Sequence, residues 1–131
     1  MLSKDVELAI NASLQDAYMR RHELATVEHL ILALLDDDAT ANVLKKCGAD
    51  VAQLRSALRN FLEEMVERVP DGEDFETRPS MGFQRVIQRA LHHVLASEKE
   101  EVKGVNLLIA TYAEADSHAA YLLKEAGVER L

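Results

Sequence analysis

The chain has no tryptophan, one cysteine, two prolines and five glycines among its 131 residues, and each scarcity removes a class of structure. A lone Cys47 forms no internal disulfide and suits a reducing compartment, so the cytoplasm is the expected location. With so few Gly and Pro there is little turn chemistry for a many-stranded sheet. No apolar run approaches the ~20 residues that a spanning helix needs, the longest being Leu30 to Leu35. The opening Met1-Leu2-Ser3-Lys4-Asp5 lacks the basic and apolar regions of a signal peptide and is expected to be the native start. Positive charge is also short. Fifteen basic residues face 23 acidic ones, for a formal charge of −8, and that field repels nucleic acid and anionic lipid alike. No G-x-x-x-x-G-K-[ST] phosphate loop occurs, so ATP is not expected to bind. His22, His29, His92, His93 and His118 include no H-x-x-x-H pair, and no inward Glu-x-x-His motif supports a metal-binding bundle. No cofactor or metal is expected, and no set of side chains makes Cys47 a nucleophile.

What is present is helical. Hydrophobic residues make up 48% of the chain, enough for a core, and Ala, Leu and Glu predominate, so the expected fold is all-α. Val6, Ala9, Ile10, Leu14, Ala17 and Tyr18 fall at helical spacing behind a Ser3 cap, which predicts a helix over 4–21. Thr26 caps a second helix that is apolar on nearly every side and is expected to form the centre. Asp36, Asp37 and Asp38 place carboxylates at the start of a short third helix over 39–46. Gly48 reads as its left-handed stop. Asp50 with Gln53 opens a fourth helix carrying Val51, Leu54, Leu58, Phe61, Leu62 and Met65. Residues 68–79 hold both prolines and four acids and read as a solvated surface linker, in which Phe75 is a possible partner contact. Ser80 caps a fifth helix with a stripe of Phe83, Val86, Ile87, Ala90, Leu91, Val94 and Leu95.

The two ends of the chain are related. Residues 6–35 laid without a gap over 83–112 pair Ile10 with Ile87, Leu14 with Leu91, Glu23 with Glu100, Leu30 with Leu107 and Ala33 with Ala110. A two-residue shift then pairs Leu44 with Leu123, Lys45 with Lys124 and Gly48 with Gly127. The expected architecture is therefore two tandem pseudo-symmetric four-helix repeats, 1–67 and 80–131, packed as one bundle. The second repeat is truncated, with most of its fourth helix expected to lie beyond Leu131. Arg85 and Arg89 share a helix face and are expected to reach acidic residues of the other repeat.

The strings Arg21-His22-Glu23, Thr26-Val27-Glu28-His29-Leu30 and Phe83-Gln84-Arg85-Val86 with Gln88-Arg89-Ala90 resemble the Clp N-terminal repeat domain over essentially the whole chain, most of all the ClpA type. The resemblance implies a non-enzymatic docking module on a hexameric AAA+ unfoldase. It implies binding of a ClpS-like adaptor that delivers N-degron substrates, with ClpP as the peptidase served by the full-length parent. ATP and magnesium would belong to ATPase modules outside these residues, and the isolated domain is expected to be a monomer. Carried over by resemblance, Glu23, Glu28 and Ser80 are adaptor contacts at helix ends, with His22 and Arg85 as neighbours. Direct capture of unfolded clients, as in the related disaggregases, is the alternative.

Overall fold

The computed structural model describes residues 1–128. Seven helices are found among them: α1 (Lys4–Met19), α2 (Val27–Leu34), α3 (Asp38–Lys46), α4 (Val51–Met65), α5 (Met81–Ala96), α6 (Gly104–Thr111) and α7 (His118–Glu125). Two short strands, β1 (Leu24–Ala25) and β2 (Arg78–Pro79), pair in parallel. The fold is all-α apart from this pair. The start of a fourth helix in the second half, looked for after Gly127, lies outside the described residues.

The caps follow the sequence. Ser3 Oγ accepts the Val6 N–H at 3.1 Å, and Ser80 Oγ accepts the Phe83 N–H at the same distance. Asp37 and Asp50 do the same for Thr40 and Gln53, satisfying amides that the first turn leaves free. Gly48 closes α3 at φ +87°, a conformation that costs a residue without Cβ nothing. Helix α1 stops two residues short of the expected end because the chain reverses at Arg21, which stands in the left-handed region at φ 61° while the His22 N–H returns to the Ala17 carbonyl.

The first three helices of each half correspond. Helices α5 and α6 begin and end 77 residues after α1 and α2. The left-handed Arg21 has its counterpart 77 residues on at Glu98, φ 58°. The halves also exchange short extended segments. Ser80 N–H donates to the Ala25 carbonyl and Ser3 N–H donates to the Val102 carbonyl, each at 2.9 Å, and Leu2 and Val102 form a parallel bridge that mirrors Ala25 and Pro79. Each half thus lends the residues leading into its first helix to the segment leading into the other half's second helix. Helix α2 lies at the centre, in contact with α1, α4, α5, α6 and α7, and Leu30, Ile31 and Leu34 are fully buried there. Leu107 and Leu108 of α6 and Phe83 and Val86 of α5 complete the core.

Three expectations need correction. Tyr18, Met65 and Leu95, placed on core-facing stripes, are 53%, 71% and 68% exposed, while Ala17, Leu62 and Val94 in the same last turns are buried, so the covered stripe is narrower than the sequence spacing suggests. The linker is also not simply solvated. Arg21 donates from Nε to the Val69 carbonyl at 3.1 Å and from Nη2 to the carbonyls of Pro70 and Glu73 at 2.8 and 2.7 Å. Its guanidinium lies 4.9 Å from the centre of the Phe75 ring, which stacks on Tyr18 at 5.2 Å. The segment is strapped to the first half, and Phe75 is half-buried in the strap. Finally, Arg85 and Arg89 do not cross to the other repeat: both meet Glu114, in their own half.

Candidate docking surface

The five residues singled out in the sequence divide into two groups once their surroundings are known. Glu23 lies in the extended stretch between α1 and β1, not at a helix end, and its side chain is 54% exposed. The nearest cation is Arg78 at 3.6 Å, and an open pair of this kind contributes little. Ser80 is half-buried at the start of α5, two residues beyond Arg78, its Oγ occupied by the cap bond. The pairing of β1 with β2 brings these two positions together, since Ser80 N–H is held by Ala25 and Arg78 N–H donates to the Glu23 carbonyl at 3.0 Å. An exposed carboxylate and a hydroxyl-capped helix start thus share the junction between the halves.

Glu28 and His22 are elsewhere, and both are buried. Glu28 is read from the sequence as an exposed first-turn acid, yet its Oε2 accepts the Ala119 N–H at the start of α7 at 2.8 Å. It serves one of the free amides of that helix from 91 positions away. His22 Nδ1 lies 2.9 Å from His29 Nε2. Since the Thr26 backbone N–H reaches His29 Nδ1 at 2.8 Å and can only donate, His29 Nδ1 is the acceptor. Its Nε2 carries the proton and gives it to His22. Both rings are therefore neutral. Burial, with smaller contributions from His22 and Arg20, pushes His29 down to about 3, and burial followed by Arg20 also lowers His22. His22 is only 3% exposed, so little of its ring is open to a partner.

Arg85 is exposed but engaged. Its Nε and Nη2 reach the two oxygens of Glu114 at 2.7 and 3.2 Å. The Arg85 hydrogen bond holds the Glu114 carboxyl below the usual range. Sequence reasoning missed the groove next to Glu23. About 560 Å³ in volume, it is lined by Leu24, Met65, Val66, Val69, Pro70 and Phe75, with Glu67, Glu73 and Asp74 at its edge. The one sequence signal at this groove is Phe75, read from the linker as a partner contact; Met65, which also lines it, is placed by its spacing on a core-facing stripe. Among the described residues no three His, Cys, Asp or Glu side chains are placed to share a metal ion, and no helix is long and apolar enough to cross a membrane.

A bundle of duplicated helices with exchanged lead-in segments and a polar junction between its halves defines a class, and residues 1–126 match the Clp repeat (R) N-terminal domain. The chain belongs to that family. A ClpA homolog protein of Fuscovulum blasticum is 46% identical over 129 residues, covering 98% of this chain but only 16% of that protein, so the chain spans about a sixth of its relative's length. The Hsp104 N-terminal domain from Candida albicans superimposes with a TM-score of 0.82 at 17% identity, covering 98% of this chain and 83% of that one. The N-domain of ClpV from Vibrio cholerae gives 0.77 at 23%, covering 95% and 76%. These two share the fold.

Proposed function

We propose that this Clp N-terminal domain is the docking module of a ClpA-type AAA+ unfoldase, binding a ClpS-like adaptor that brings N-degron substrates toward a ClpP-type peptidase. The observation that carries the reading is Glu23. It is the one residue of the five whose charge stands open to solvent with only a loose partner, beside the Ser80 helix start at the junction joined by the β1–β2 pairing. Such a carboxylate accepts charge-assisted hydrogen bonds from a partner's Lys or Arg, which favours recognition and encounter. The 46% identity to a ClpA homolog protein supports the choice of type. The domain itself is a binding module, and its effect on turnover would come from raising the local concentration of cargo at the ring.

Calorimetric titration of a ClpS-type adaptor separates the two acids. Glu23→Ala should weaken binding about tenfold, equivalent to roughly 1.4 kcal/mol, with no loss of thermal stability. Glu28→Ala should instead lower stability by about 1–3 kcal/mol, because the Ala119 amide is left buried without an acceptor. Absence of binding by the folded wild type would refute the adaptor reading. One observation favours direct client capture as a second reading: the groove of Leu24, Met65, Val66, Val69, Pro70 and Phe75 next to Glu23 offers an apolar floor of the kind that an unfolded segment covers.

A further inference from the structure

The internal duplication supplies its own comparison, because a site filled in one half is open in the other. In the second half, the turn after α6 presents Glu114 to α5, and Arg85 and Arg89 both meet it, Arg89 also donating to the Ala110 carbonyl at 3.3 Å. The first half builds the same turn. Asp36 N–H returns to Ala33 as Ala113 N–H does to Ala110, and Asp37 N–H returns to Leu34 as Glu114 N–H does to Thr111. Asp37 therefore stands where Glu114 stands, 77 residues earlier. The residues at the positions of Arg85 and Arg89 are Leu8 and Ala12. With both arginines gone, α1 and the end of α2 enclose a groove of about 210 Å³ with a floor of Leu8, Ala12 and Ala33 and a rim of Asp5, Asp36 and Asp37.

The rim is short of cations. Asp36 Oδ1 is held by Arg55 at 2.6 Å and Asp37 Oδ2 by the cap of α3, but Asp5 makes no ion pair among the described residues. Leu8, 57% exposed, offers an apolar wall for the stem of a long side chain. An apolar slot ending in carboxylates matches a side chain that is hydrocarbon along its length and cationic at its tip, and the other half of the molecule shows a guanidinium seated in the equivalent place. We propose that this groove receives an arginine side chain of a partner protein, its stem along Leu8 and Ala12 and its guanidinium at the aspartates. The groove lies toward the N-terminal end of α1, whereas Glu23 follows its C-terminal end, so the proposal does not rest on the adaptor reading.

The test is a titration of the ¹⁵N-labelled chain with a blocked leucine-arginine-leucine peptide and with its citrulline counterpart, which keeps the shape and loses the charge. Saturable shifts at the amides of Ala9, Ala33, Asp36 and Asp37 are expected with the arginine peptide, at least about tenfold weaker with citrulline. Leu8→Arg should supply the guanidinium from within, as Arg85 does, and abolish the shifts without lowering the melting temperature. Asp5→Asn should weaken them. Equal response to both peptides, persistence of the shifts in Leu8→Arg, or no shift at these amides would overturn the proposal. Leu8→Arg should leave the Glu23-dependent adaptor titration unchanged, so that failure of either reading shows separately.

Discussion

His29 and Asn106 hold equivalent places in the two halves and perform one task with different chemistry. Each accepts the backbone N–H of the residue three before it, at 2.8 and 2.7 Å. His29 adds a bond to His22 and a liability to acid. Its folded-state value of about 3 lies below the ordinary 6.5, so the unfolded chain binds the proton first. The stability this site contributes is complete above pH 6.5 and is lost as pH falls toward 3, at about 1.4 kcal/mol per pH unit. His29→Asn should keep the cap, cost about 1–2 kcal/mol at pH 7 through the lost volume, and then close the gap to the wild type by roughly 2 kcal/mol between pH 6.5 and 5. Urea unfolding at the two pH values measures it, and a gap that does not change with pH would show that His29 does not titrate as described. At this scale the sequence was legible only in part. A structural rather than catalytic role for His29 is readable from its place inside the Thr26-Val27-Glu28-His29-Leu30 string, but as a bond between helices, whereas its Nδ1 closes the cap of its own helix. The burial of Glu28 is not readable, because its partner is an amide 91 positions away, and nothing local distinguishes a buried first-turn acid from a solvated one.

Elements were more legible than their contacts. Helical period and caps place the first five helices, because a stripe of buried side chains and a satisfied first turn are local properties, and the internal repeat extends the pattern to α6 and α7. The two-residue strands leave no period to read, and the strap over residues 69–76 depends on Arg21 turning back through a left-handed backbone. The approach of α6 to α3 is equally hidden. Gly104 stands where the first half has Val27, and a Cβ there would run into the Thr40 hydroxyl and come within 3.3 Å of Asp37 Oδ2. Thr40 Oγ1 donates to Asp37 at 2.6 Å, so it cannot swing aside without disturbing the cap of α3. Gly104→Ala should therefore destabilise by about 1–3 kcal/mol, although alanine is the better helix former. In a Thr40→Ala background most of that cost should vanish, since the obstructing oxygen is gone. A double-mutant cycle reads the coupling, and additive effects would mean that α6 does not approach α3 as closely as described.

For the whole molecule, the 77-residue correspondence made the duplication visible, but correspondence does not say how two copies pack. Side-by-side halves and halves that exchange their lead-in segments share one sequence pattern, and bonds such as those from Ser3 to Val102 and from Ser80 to Ala25 distinguish them. The exchange has a thermodynamic consequence. Helix α2 is buried against α5, α6 and α7 as well as against α1 and α4, so the first half has no complete core of its own. A unit of about 60 residues is marginal even with its core intact. The chain should then unfold in one transition, coincident by far-ultraviolet dichroism and by amide exchange in the two halves. A fragment of residues 1–67 should have poorly dispersed amide resonances and no cooperative melt, because removal of α5 to α7 uncovers Leu30, Ile31 and Leu34 and leaves Glu28 without the amide it holds. A fragment that folds and melts cooperatively would mean that the interface between the halves is an addition to two self-sufficient bundles, and that exchange of the lead-in segments is not what makes the fold one unit.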